Sequence, residues 1–145
     1  MRTPYRAVSR LKGTAIIDAE VVHLTGEGVA DFDALHSRTA APLAVTCAFD
    51  LLMFNGDDLR RRPLVERKAA LRKLLGKGAS RGGIQYVAHI EGDGEIMFTA
   101  VCKHGLEGIV SKKLDSPYRS GRTKSWIKVK NQKSAAATRA IDGTF

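Results

Sequence analysis

The sequence is poor in the residues that build metal centres and disulfide frameworks. Cys47 and Cys102 are its only two cysteines. They lack CxxC spacing, which excludes a thiolate zinc knuckle and makes a disulfide the weaker reading. Both are expected as reduced thiols inside a strand and a helix. Histidines 23, 36, 89 and 104 show no zinc spacing either. There is no GxxxxGK[ST] phosphate loop and no GxGxxG fingerprint, and Gly92 and Gly94 of EGDGE belong to a turn. No apolar run reaches the length that crosses a bilayer, and MRTPYRAVSR has no hydrophobic segment behind its basic residues. A membrane anchor and a secretory leader are therefore not expected. Internal repeats are absent, as is low complexity beyond one alanine triplet.

Acid is the other scarcity. Against 24 lysines and arginines stand 15 acids in 145 residues, a formal charge of +9. Such a balance favours nucleic acid, nucleotides or an acidic surface as partner and says nothing of fold. The positive field is concentrated between Lys103 and Lys133, where only Glu107 and Asp115 oppose it.

The length suits one domain with a real core. AIIDAEVVHL (15–24) is apolar on both parities and reads as a strand buried on both faces. LAVTCAFDLLMF (43–54) is a second long strand with Asp50 as its one charge, closed by an Asn-Gly turn. Between them DFDALHSR reads as a short helix capped by Asp31. Pro63 suits the first position of a helix over PLVERKAALRKLL. Its apolar stripe runs through Leu64, Ala69 or Leu71, and Leu74 or Leu75; Gly76 is its stop, and Arg60 to Arg62 and Arg67 lie on its outer side. IQYVAHI is a third strand, EIMFTAVCKHG a helix closed by Gly105 at C′, and strands LEGIVSK and WIKVK flank a polar loop. Residues 1–14 form an extension and 131–145 a frayed tail.

The chemistry lies in a few polar residues set among apolar ones. In a strand Lys128 and Lys130 share a face with Trp126, opposite Ile127 and Val129. Two ammonium groups held this way clamp an anion, or else guard a solvated edge strand against aggregation. Glu107, close to lysines, suits a hard divalent cation or a surface salt bridge. Asp18 and Glu20 lie two apart in an apolar strand, are costly to bury unpaired, and so favour a polar cleft. Phe49 is either core or a platform for a base.

Taken in order, IIDAEVV, AFDLLMFNGDDLRRRPLVERKAALRKLL, HIEGDGE, LEGIVSKK, SPYRSGR and SWIKVK resemble the nucleotidyltransferase (adenylation) domain of ATP-dependent DNA ligases, above all the ligase domain of bacterial end-joining enzymes. The likeness runs from about Ala15 to Lys130. It implies an incomplete α+β domain of mainly antiparallel sheets with outer helices at 15–130. Glu20 would contact the ATP ribose, Phe49 would stack on adenine, and Lys112 would lie near the nucleotide. Lys128 and Lys130 would hold phosphates, Glu107 would serve Mg²⁺ or Mn²⁺, and Arg119, Arg122 and Lys124 would meet DNA phosphates.

In that family a lysine attacks the α-phosphate of ATP, AMP passes to a DNA 5′-phosphate, and a 3′-hydroxyl displaces AMP. The nucleophile motif, lysine-x-Asp-Gly, is expected before IIDAEVV and does not occur there. Lys12 is followed by Gly13 and Thr14, while KLDS (113–116) and AIDGTF (140–145) are chance imitations. Nor do fifteen residues after WIKVK supply the family's OB barrel. The resemblance thus implies a domain truncated at both ends, inactive alone, working in the bacterial cytoplasm or on the nucleoid. A separate polypeptide would supply the nucleophile segment, or the chain is a fragment of a longer gene product. The rival expectation is a non-catalytic DNA-binding or partner-binding remnant held by counterion release.

Overall fold

The computed structural model describes residue 9 and residues 11–25, 44–76 and 83–134. The expected helix at DFDALHSR with its Asp31 cap, most of the N-terminal extension and the last eleven residues lie outside the described residues. In chain order the elements are β1 (Ala15–Val22), β2 (Val45–Phe54), β3 (Asp57–Asp58), α1 (Leu64–Leu75), β4 (Ile84–Tyr86), α2 (Gly94–Lys103), β5 (Gly108–Lys112) and β6 (Trp126–Lys130). The fold is α+β, with all strand pairs antiparallel except β2 with β4.

β2 organises the larger sheet. β1 pairs along its whole length on one edge, and β3 and β4 share the other. Two register shifts separate Ile16 from Ile17 and Asp18 from Ala19. At the second, Asp18 faces Asp50 and Ala19 faces Ala48, so Phe49 is the extra residue of a β-bulge on β2. The Asn55-Gly56 turn into β3 has φ of 49° and 86° at these two residues, the left-handed pair that the Asn-Gly signal demands.

The core forms where α1 lies on this sheet. Ala48, Leu51, Leu59, Leu71, Leu75 and Ile84 are buried together. Each buried leucine or isoleucine contributes about 2–3 kcal/mol. On α1 the buried stripe is Leu64, Arg67, Lys68, Leu71 and Leu75. The expectation that Arg67 decorates the outer side is therefore wrong. It sits three residues after Leu64 and four before Leu71, which is the inward face of a helix of period 3.6. Pro63 is the N-cap rather than the first helical residue, with ψ 145°. Its carbonyl accepts from the N–H groups of Glu66 (3.1 Å) and Arg67 (3.2 Å).

β1 is not buried on both faces. Ile16, Val21, Ala19 and Glu20 are exposed and only Val22 is buried, because β1 is an edge strand paired to β2 alone among the described residues. β4 is also shorter than IQYVAHI. The ladder ends with Val87 N–H donating to the Ala48 carbonyl at 3.0 Å.

The smaller sheet is the β5–β6 ribbon. Its preceding helix α2 starts at Asp93, whose carboxylate accepts from Glu95 N–H (2.8 Å) and Ile96 N–H (3.2 Å). It ends with Gly105 at C′ (φ 66°), where Gly105 N–H donates to Cys102 and Leu106 N–H to Val101, a Schellman closure. Cys47 and Cys102 are free thiols. No helix among the described residues is long and apolar enough to cross a membrane.

Candidate functional site

The ribbon gathers the lysines. Its register pairs Trp126 with Lys112, Lys128 with Val110 and Lys130 with Gly108, so Lys112, Trp126, Lys128 and Lys130 share one face. Ile109, Ser111, Ile127 and Val129 take the other, on the side of Gly94 in α2. Lys112 Nζ stands 3.9 Å from the centroid of the Trp126 ring. Trp126 meets Tyr118 edge-on, with centroids 5.3 Å apart at 77°. The indole Nε1–H of Trp126 is buried without an acceptor, which leaves a further donor beside the lysines.

Glu107 stands at the head of the ribbon, half-buried, with one carboxylate oxygen 3.9 Å from Lys130 Nζ. Two contacts fix it there. Asn131 N–H donates to the Glu107 carbonyl at 2.7 Å, and Asn131 Nδ2 donates to the Leu106 carbonyl at 3.0 Å. Gly108 follows at φ 156°, and a Cβ there would lie 2.1 Å from the Val129 carbonyl oxygen.

A buried ion pair ties the ribbon to the larger sheet. Arg67 and Asp50 are both fully buried and joined in a fork, Nε to Oδ1 at 3.0 Å and Nη2 to Oδ2 at 2.8 Å. Arg67 Nη1 donates to the carbonyls of Arg62 (2.5 Å) and Ser116 (2.9 Å). Tyr118 N–H donates to the Arg60 carbonyl at 2.8 Å, and Val65 N–H to the Leu114 carbonyl at 3.0 Å. The segment between β5 and β6 is thereby fastened to α1, and through Arg67 to β2.

Next to Arg67, Lys68 donates to the carbonyls of Phe49 (3.1 Å) and Val87 (3.0 Å), and lies 4.8 Å from the Tyr86 ring centroid. Burial lowers the Lys68 pKa, repulsion from Lys112 adds to this, and Asp50 opposes it. Lys112 is lowered by burial and by Arg67 against the pull of Asp18 and Asp50. Tyr118 is raised by burial and by the same two carboxylates. Asp18, Asp50, Arg67, Lys68 and Lys112 thus form one electrostatic group in the wall between sheet and ribbon.

The residues expected at the site fall into two sets. Lys112, Lys128, Lys130 and Glu107 come together on the ribbon. Phe49 is half-buried at the bulge, and Glu20 is exposed on β1 opposite Cys47, whose thiol is pushed up by burial and by Glu20. No ion pair or hydrogen bond among the described residues joins Glu20 to the ribbon. Arg119, Arg122 and Lys124 are exposed on the loop before β6. Lys12 precedes the end of β1 that pairs with Phe54, away from Glu20.

Asp50, Arg67, Lys68 and Tyr118 were not expected here. The signal for them is in the sequence: two consecutive cations at i+3 and i+4 from Leu64 interrupt an apolar stripe, and Asp50 is a lone charge in an apolar strand. Buried charges of opposite sign require each other.

Among known families, the ATP dependent DNA ligase domain matches residues 5–130. The multifunctional non-homologous end joining protein LigD of Pseudomonas aeruginosa is 38% identical over 119 residues, covering 80% of this chain and 14% of that protein. The crystal structure of the ligase domain of LigD from M. tuberculosis superposes with a TM-score of 0.65 at 32% identity, over 80% of this chain and 37% of that one. A mycobacterial DNA ligase D complexed with ATP and MES gives the same TM-score and identity over 80% and 38%. The chain spans a minor part of each of these relatives.

Proposed function

The chain belongs to the ATP-dependent DNA ligase family, as part of its adenylation domain, and from that premise we propose that it carries the nucleotide-binding cleft of a nick-sealing ligase. The observation that carries the reading is the lysine face: Lys112, Lys128 and Lys130 on one side of a ribbon whose connecting segment is tied through Arg67 to the strand that holds Phe49. Ammonium groups two apart on a strand project from one face and can converge on one polyanion. The β5–β6 register sets the strand positions from which they reach before the ligand arrives, and they would stabilise charge that builds on phosphoryl oxygens.

In this reading Lys128 and Lys130 hold the phosphates, Lys112 the nucleotide, Phe49 stacks on adenine and Glu20 takes the ribose. Glu107 supplies one oxygen ligand. No cluster of three or more metal-ligating side chains occurs among the described residues. A single carboxylate fits Mg²⁺ or Mn²⁺, which complete their shell with water and phosphate. Bound there, the ion would neutralise phosphate charge, with Lys130 Nζ 3.9 Å from the same carboxylate. Arg119, Arg122 and Lys124 would meet DNA phosphates in the cytoplasm.

The lysine-x-Asp-Gly nucleophile does not occur before β1 in these residues. In this reading residues 1–145 bind ATP without forming a covalent adduct.

Thermal unfolding with ATP and Mg²⁺ tests the assignment. Saturating ATP, at about a hundred times its Kd, adds about 2.7 kcal/mol of stability. Lys128→Ala with Lys130→Ala abolishes that gain, whereas Lys124→Ala keeps it. Mass spectrometry of the same samples should find no AMP adduct. Equal losses from both variants would instead mean diffuse charge, and a stoichiometric adduct would place a working nucleophile in this chain.

A further inference from the structure

We propose that Lys68 is a positioning residue for the base: it fixes the bulge at Phe49 and thereby the ring on which the nucleotide stacks. This rests on the nucleotide reading above. Phe49, like Leu52 at the other register shift, is left without a partner on β1. An unpaired bulge is a place where a strand shifts easily, because its backbone groups lack ladder bonds. Here the Phe49 carbonyl is taken by Lys68 Nζ at 3.1 Å, and the same ammonium takes the Val87 carbonyl at 3.0 Å.

The grip is doubled by sequence adjacency. Consecutive residues of α1, Arg67 and Lys68, hold the consecutive residues Asp50 and Phe49 of β2, one through the carboxylate and one through the backbone. Lys68 is itself held by burial and by the Tyr86 ring at 4.8 Å, so its ammonium has little freedom to leave the two carbonyls. No other hydrogen bond among the described residues reaches the Phe49 carbonyl from a side chain. Lys68 gives its hydrogen bonds to the sheet and none to the ribbon, where Lys112 feels its charge, so its loss acts on the base through the bulge and Lys68→Arg, which keeps the charge, isolates that effect.

The test compares two ligands on the purified chain with Mg²⁺: ATP, which has a base, and inorganic tripolyphosphate, which has none. Lys68→Met should weaken ATP binding roughly tenfold, the scale of one charge-assisted hydrogen bond, while leaving tripolyphosphate binding unchanged. Phe49→Ala should cost a similar factor, and Phe49→Ala with Lys68→Met no more than Phe49→Ala alone. Lys68→Arg should restore most of the affinity. Equal loss for both ligands, or full additivity with Phe49→Ala, overturns the proposal in favour of a merely structural role.

If Lys68→Met does not fold, Lys68→Gln, with a shorter reach to the same carbonyls, serves in its place. A ¹³C carbonyl spectrum of the unliganded protein separates the two readings. Upfield shifts at Phe49 and Val87 in the variant support the grip even if wild type proves to bind no ATP, which would defeat only the nucleotide reading. Unchanged shifts defeat the grip itself.

Discussion

At the scale of single residues, the most consequential pair is Asp50 and Arg67. Both are wholly out of solvent, and beyond the fork the guanidinium Nη1 donates to two carbonyls. Taking such charges from water is expensive, and the pair is tolerable because the fork and the two carbonyl bonds offset that cost. Arg67→Met should therefore destabilise by about 3–5 kcal/mol, since it strands a buried carboxylate. Asp50→Leu combined with Arg67→Met should recover much of that loss. Urea midpoints of the single and double variants check both statements. A single variant as stable as wild type would mean that the pair is not buried in solution. Sequence patterning makes these residues individually visible, but their pairing spans seventeen positions and a strand-to-helix contact. Its charge, rather than its place in the helical period, is what assigns Arg67 to the outside when no buried partner is in view.

At the scale of elements, α1 and α2 differ in what holds them. α1 drives a stripe of five residues into the core, whereas no residue of α2 is fully buried and Ile96 is 67% exposed. Its ends carry more of the burden: the Asp93 cap at the start and the Gly105 closure at the end. Asp93→Ala should cost about 1 kcal/mol locally. Amide exchange in the first turn of α2 should quicken accordingly while α1 is unchanged; uniform quickening of both helices would refute the local origin. Elements of this kind are the legible part of the sequence. Asn55-Gly56, Gly76 and Gly105 end their elements where turn chemistry places them, and the period of two in WIKVK puts its lysines on one face. Boundaries are less legible because tertiary bonds move them. β4 stops short because Lys68 occupies the carbonyls at its end, and β1 lies open because burial on both faces requires neighbours that composition cannot supply.

For the whole molecule, the +9 charge and the exposed Arg119, Arg122 and Lys124 place positive surface beside the ribbon. Removing all three side chains as alanines should lower DNA affinity and flatten its salt dependence by about one unit of slope per lost phosphate contact. The ATP-induced thermal shift should survive. A DNA affinity unchanged across a salt titration would remove this loop from the interface. The site as a whole was legible only in part. The ribbon lysines could be grouped by parity, but the connection of the ribbon to the sheet through Arg67 and Ser116 depends on folding distances that no motif encodes. At Gly108 the Val129 oxygen occupies the space of a first side-chain carbon, and every other amino acid in the genetic code brings that carbon. No missense change at this codon preserves the strand pairing beside Glu107, so the position is closed to gradual drift in a way that neighbouring Val110, open to solvent, is not.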